Sequence, residues 1–307
     1  IDARVSVALG GYGETAMIKI SGGQEEIGLE GIGLRETHLG KFRAFCRKPS
    51  GLFIASGPDG SGKTTLLYDL LISLNTPDTK IVTAEDPIER RIPGTLQTQV
   101  NDAEGYSFPE AVRSLLRQSP NALLISEIRE RETAAAASEA ALTGHLVFGS
   151  MQGNSAALAA TRLSGFGIGS EDFANAGTMI VGVRLVRKLC DHCKKKATPD
   201  EQSLALIERI ISGISEKADV VAPEARDVFE SAGCERCDGS GYSGQMMLSE
   251  ILPVTRGIAD MLNGSPIADD IRRIGKEEGM LTIEEDGILA VLEGKTTLAE
   301  IERVTEE

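Results

Sequence analysis

Gly57-Pro58-Asp59-Gly60-Ser61-Gly62-Lys63-Thr64 matches the pattern G-x-x-x-x-G-K-[ST]. Every residue type in it suits phosphate chemistry. The glycines let backbone N–H groups wrap phosphate oxygens with no Cβ in the way. A helix opening at the end of the loop adds partial positive charge. Lys63 can reach the β- and γ-phosphates of a nucleotide, and the Thr64 hydroxyl can ligand Mg²⁺. Thr65, beside it in the first helical turn, joins the expected nucleotide-binding set.

Transfer of a phosphoryl group to water also needs a carboxylate near Mg²⁺ and one to orient the water. Two candidate groups follow apolar runs. Glu85, Asp86 and Glu89 come after Lys80-Ile81-Val82-Thr83-Ala84, and Glu127 comes just after Leu123-Leu124-Ile125. In open parallel sheets ligands bind beyond the carboxyl ends of strands, so both groups, Glu85 included, are expected at the nucleotide. Either group alone also reads as solvated loop charge; the pair together with the glycine-rich loop favours a site.

Cys190 and Cys193 form one Cys-x-x-Cys pair, and Cys234 and Cys237 form a second. Four thiolates make a closed tetrahedral Zn²⁺ site that leaves no position open for catalysis. A redox dithiol is the alternative reading. The 40 residues between the pairs imply an insertion. His192 reads as a bystander, and Cys46 as an ordinary buried thiol.

These residues need a scaffold. Residues 35–189 read as an α/β unit. Leu52-Phe53-Ile54-Ala55 is a buried strand, and a helix from the loop to Leu74 follows. Further strands are expected at 80–84, 123–125 and 145–150. Ser107-x-x-Glu110 predicts a capping box opening a helix to about Gln118, and Thr133 to Thr143 reads as another helix capped by Gly144. Alternating strands and helices imply a mainly parallel sheet covered on both faces. Residues 1–21 read as strands, 22–34 as a linker, 190–244 as the tetracysteine insertion and 245–307 as a charged helical region.

Bulk properties set limits on function. The chain has 307 residues, 41% hydrophobic, enough for a substantial core. A net charge of −14, 4% aromatic residues and no Trp argue against nucleic-acid binding. The same charge discourages direct docking on anionic lipid, and membrane contact is expected only through partners. No apolar run is long enough to span a bilayer, and no charged-then-apolar leader opens the chain, which predicts a cytoplasmic protein. The opening Ile1-Asp2-Ala3-Arg4 reads as the start of a fragment.

The ordered set of motifs resembles the secretion ATPase superfamily, and within it the type II secretion and type IV pilus assembly ATPases. It comprises the glycine-rich loop, Glu85-Asp86-Pro87-Ile88-Glu89, Glu127-Ile128-Arg129 and Leu142-Thr143-Gly144-His145-Leu146-Val147-Phe148-Gly149. Arg184-Leu185-Val186-Arg187-Lys188-Leu189-Cys190 and the late Glu285-Asp286-Gly287 extend it. The resemblance implies a RecA-like P-loop NTPase core, ATP as substrate, a homohexameric ring, an inner-membrane platform protein and cytoplasmic-face assembly proteins as partners. It implies Glu89 as the water-activating carboxylate, Glu127 acting through Mg²⁺ in the Walker B position, His145 as part of a histidine box and Arg4 as a γ-phosphate-facing arginine. Residues 1–21 would be the tail of a preceding small α/β domain. The tetracysteine favours assembly over retraction; type II secretion and pilus assembly stay unseparated. Gln152, Lys19, Ser126, Glu130 and Asp59 depart from the family pattern. They motivate a second reading, a nucleotide-binding regulatory module with weak hydrolysis; a DNA-translocating ATPase is a third.

Overall fold

The computed structural model describes residues 2–21, 27–224, 226–264 and 266–305; in the first hairpin, side chains are described for residues 5–18. Residues 22–26 of the expected linker lie outside the described residues. The chain opens with an antiparallel hairpin, β1 (Asp2–Gly10) and β2 (Gly13–Ser21). Helices α1 (Gly28–Gly31) and α2 (Glu36–Cys46) then lead to β3 (Gly51–Ser56) and α3 (Lys63–Leu74). The core continues through β4 (Ile81–Glu85), β5 (Leu96–Gln99), α4 (Phe108–Leu116), β6 (Ala122–Ile125), α5 (Arg131–Leu142) and β7 (Leu146–Met151). Helices α6 (Ala156–Gly165) and α7 (Ser170–Asn175) precede β8 (Met179–Leu189).

After β8, β9 (Lys195–Ala197) pairs antiparallel with β10 (Val228–Glu230), with α8 (Glu201–Ser212) between them. β11 (Tyr242–Pro253) returns to the main sheet. Helices α9 (Arg256–Leu262), α10 (Ala268–Glu277), α11 (Ile283–Leu292) and α12 (Leu298–Thr305) complete the described chain.

The main sheet has seven strands in the order β11-β8-β3-β7-β6-β4-β5, parallel throughout except where β11 meets β8. Strand periodicity sends alternate side chains to opposite faces. Leu52 and Ile54 join one core with α4, α5 and α6, while Phe53 and Ala55 join the other with α2 and α3. Phe42 and Phe45 of α2 meet Phe53 edge-on, each with ring centroids 5.4 Å away. The α/β fold with a mainly parallel sheet is as the sequence predicts.

Three details differ. Residues 245–253 are strand, not helix, because the apolar run Met246-Met247-Leu248 is buried in β11 and pairs with β8. Ser107 stands at the N-cap of α4 without a side-chain cap bond; Glu110 instead pairs with Arg113 at 3.3 Å, so the capping box does not form. β5 has no apolar run to announce it: Leu-Gln-Thr-Gln is an edge strand with exposed and half-buried residues.

Candidate functional site

The loop of residues 57–62 leaves the carboxyl end of β3 and runs into α3. A Cβ on Gly57 would lie 2.2 Å from Ser61 Oγ and 2.8 Å from the Val183 carbonyl, so this position takes glycine alone. Gly62 caps α3 at φ 92°, the left-handed region that glycine enters without cost. Lys63 folds back over the loop and donates to the Gly57 and Pro58 carbonyls at 2.6 and 2.8 Å. Burial lowers the Lys63 ammonium, against the nearby charges of Asp59, Glu127 and Glu89. Ser61 Oγ is buried without a hydrogen-bond partner among the described residues. A concave loop of backbone donors, a lysine with only its own loop to hold and an orphaned hydroxyl fit a polyphosphate.

The acidic residues arrive on neighbouring strands. Glu127 stands two residues past β6 and is held by the Arg129 guanidinium at 2.6 Å. Arg129 in turn feels the charges of Asp86 and Asp59. The Asp86 N–H donates to Ser126 Oγ at 3.2 Å, tying the loop after β4 to the loop after β6. Glu89 is exposed in that same loop and its charge reaches Lys63. Gln152 follows β7 and its amide lies 3.5 Å from Asp59 Oδ1. Arg184, buried at the end of the loop's cradle, donates to the Asn154 and Val304 carbonyls at 3.0 and 3.1 Å. Pro58, Asp59, Gly60, Thr64 and Thr65 all lie in the loop or the first turn of α3.

Two predicted site residues stand elsewhere. His145 precedes β7, whereas the site lies beyond its carboxyl end. Six residues of strand put about 20 Å between them at roughly 3.3 Å per residue. Its Nδ1 lies 3.0 Å from the Ala140 carbonyl, and the ring lines a surface cavity with Cys46, Lys48 and Asn121 at the amino ends of the strands. His145 therefore belongs to a helix-to-strand junction. Glu85 is 1% exposed and points into the core, where Tyr68, Thr83 and Gln97 donate to it. It is a buried acceptor rather than a nucleotide contact. The side chain of Arg4 lies outside the described residues.

Sequence reasoning gave no role to Tyr68, Arg129 or Arg184. The signal for Arg129 was its position two residues from Glu127. Tyr68 offered none, since a tyrosine in an apolar helix reads as core. Cys46 is partly buried, and burial pushes its thiol up to about 11.

The four paired cysteines gather in a separate cluster. Their sulfurs all lie within 4.8 Å of one another, with Cys190–Cys234, Cys193–Cys237 and Cys234–Cys237 separations of 3.9, 3.8 and 3.7 Å. Four sulfurs at about 2.3 Å from a tetrahedral metal stand about 3.8 Å apart. The cluster can hold a metal ion. Burial raises the Cys237 thiol, but N–H groups of Cys234 and Gly241, both at 3.2 Å, outweigh it and bring it to about 6.

A parallel α/β sheet with a glycine-rich loop at its carboxyl edge defines a class of phosphate-binding protein. Its fold is that of the pilus retraction motor PilT with bound ADP, at TM-score 0.66 and 20% identity over 99% of this chain and 74% of that one. The DotB ATPase of Legionella pneumophila shares it at TM-score 0.64 and 19% identity, covering 99% of this chain and 72% of its own. The chain belongs to the type II/IV secretion system protein family, whose description matches residues 1–303. The type IV pilus assembly ATPase PilB of Thermus thermophilus is 38% identical over 98% of this chain and 33% of its own length. The type II secretion system protein E of Aeromonas hydrophila is 34% identical over the whole chain and 59% of its own length. The chain thus spans about a third to three fifths of these relatives. Among the described residues no helix is long and apolar enough to cross a membrane.

Proposed function

We propose that this chain is the nucleotide-hydrolysing part of a cytoplasmic ATPase that converts ATP to ADP and phosphate. The work would drive assembly of a type IV pilus or of a type II secretion pseudopilus. The observation that supports this is the glycine-rich loop between β3 and α3, with Lys63 folded back over it and feeling the charges of Glu127 and Glu89. The loop N–H groups and Lys63 would bind the phosphates. Mg²⁺, held through Thr64 and Glu127, would offset the charge that develops on the transferring phosphoryl group. Glu89 would orient the attacking water. Arg129, paired with Glu127, would hold that carboxylate in place until the ligand arrives.

Family membership supports a homohexamer at the cytoplasmic face of the inner membrane, working with a membrane platform protein and other assembly proteins. The division into 1–21, 22–34, 35–189, 190–244 and 245–307 is proposed with β11 assigned to the core sheet. Zn²⁺ is the metal proposed for Cys190, Cys193, Cys234 and Cys237, where it would cross-link the insertion to β8 and β11.

The test is Mg²⁺-dependent phosphate release. Lys63→Ala should lose nucleotide binding or hydrolysis. Glu89→Gln and Glu127→Gln should bind nucleotide yet turn over at least about 100-fold more slowly. Normal turnover in all three would sink the assignment. The contact of Gln152 with Asp59 favours a second reading, a regulatory module that binds nucleotide and hydrolyses little. A single-turnover rate at background in a verified hexamer would select it.

A further inference from the structure

Under the loop that carries Glu89 lies a buried polar network that the reaction scheme leaves unused. At its centre is Glu85, the last residue of β4. Thr83 Oγ1 and Gln97 Nε2 donate to Glu85 Oε1 at 2.6 and 3.0 Å, and the Tyr68 hydroxyl makes a short bond to Glu85 Oε2. Tyr68 is only 2% exposed. With all three neighbours aimed at it as donors, Glu85 accepts, and the single phenolic proton is committed to it. The lone pairs left on the Tyr68 oxygen face the other way, and the Glu89 N–H donates to them at 3.3 Å. Burial, and then the Glu85 carboxylate, push the phenol well above its usual range, so the hydroxyl keeps its proton.

The rest of the loop is fastened to the same group. Gln97 Nε2 also donates to the Arg90 carbonyl at 2.8 Å, and its Oε1 accepts from the Ile92 N–H at 2.8 Å. The Arg90 guanidinium sits 5.3 Å from the Tyr68 ring centroid and 3.5 Å from Asp69. On the other side, Tyr68 belongs to α3, whose first turn holds Lys63 and Thr64. Thr64 and Tyr68 are four residues apart and share one helix face.

We propose that Tyr68 is a positioning residue that ties the phosphate-loop helix to the backbone of Glu89, with Glu85 as the buried acceptor that fixes its hydroxyl. Occupation of the loop is then felt at the water-orienting carboxylate through one side chain. This rests on Glu89 and the loop having the roles proposed above. A displacement of about 1 Å at such a carboxylate is worth ~100-fold in rate.

Tyr68→Phe keeps the ring and its contact with Arg90 and removes only the hydroxyl. Hydrogen exchange of residues 86–92 reads the tie directly, with and without a non-hydrolysable ATP analogue and Mg²⁺. In the unaltered protein that segment should be protected, and further slowed by the analogue. In Tyr68→Phe it should exchange about tenfold faster, with α3 and β4 unchanged, and should no longer respond to the analogue. Glu85→Gln, which frees the hydroxyl's direction, should reproduce the faster exchange. Turnover in Tyr68→Phe should fall by about 10- to 100-fold with KM within about threefold. Unchanged exchange and an intact analogue response in Tyr68→Phe would overturn the proposal, as would a rise in KM at constant kcat. A segment insensitive to the analogue in the unaltered protein would also overturn it. A protein that shows the tie and the analogue response but hydrolyses nothing would instead defeat the ATPase reading.

Discussion

Residue types at the loop carried most of what could be known at this scale. Gly57, Gly62, Lys63 and Thr64 stand where their spacing placed them, because a loop between a buried strand and a helix has few conformations open to it. Direction was harder to read than position. Glu85 and Glu89 flank the same short loop, yet one faces the core and the other solvent. The reason is strand geometry: Glu85 is still inside β4, with polar partners beneath it, while Glu89 lies beyond the strand. His145 stands away from the site for a related reason, since it lies just before a strand whose other end reaches the site. His145→Ala should therefore leave turnover and nucleotide affinity within about twofold, the ordinary range for a surface change away from the chemistry. A turnover loss near that of Glu89→Gln, measured under saturating nucleotide, would return the histidine to the site. At the cysteine cluster, Cys193→Ser should abolish the proposed zinc binding and lower the melting temperature, because metal binding is coupled to folding. Retained zinc or an unchanged melting curve would contradict a structural role.

Among the elements, the strands β3, β4, β6 and β7 were legible as apolar runs, whereas β5, β8 and β11 were not separately assigned. β8 reaches its end with Arg184, Arg187 and Lys188, and its charge hides its pairing. That charge has a partner in α12. Glu300, 1% exposed, receives Arg187 at 2.6 Å and Arg303 at 2.9 Å. Burial raises the Glu300 carboxyl, but Arg303 and Arg187 outweigh it and bring it down to about 2. A folded value below the ordinary 4.5 stabilises the fold above that value, and the contribution is lost as pH falls from 4.5 toward 2. Both arginines are half exposed, so screening holds the contribution to about 1–2 kcal/mol. Glu300→Gln should destabilise by that amount near neutral pH, with the difference vanishing toward pH 2 in denaturant titrations at each pH. His38 has the same direction by a different cause. Burial brings it to about 4, and stability should fall as pH drops from its ordinary 6.5 toward that value.

Across the whole molecule, the charge of −14 repels nucleic-acid phosphates, and the mainly parallel sheet carries the phosphate loop at its carboxyl edge. Val7, Leu9 and Tyr12 of the opening hairpin are 61%, 88% and 110% exposed, and apolar surface of this kind is what an interface covers. In the proposed ring, hydrolysis should rise more than linearly with protein concentration, because subunits would complete one another's sites. Strictly linear dependence over the range in which mass measurements show assembly would speak against shared sites. The proposed ring and its partners are legible only through family resemblance. No spacing in one chain records what its surface meets.

The most direct measurement is Mg²⁺-dependent phosphate release from ATP by this chain and by Glu89→Gln, with nucleotide binding followed on the same samples. Binding is expected in both and turnover only in the unaltered protein. Equal turnover in the two, or binding without any hydrolysis in either when assembled, would contradict it.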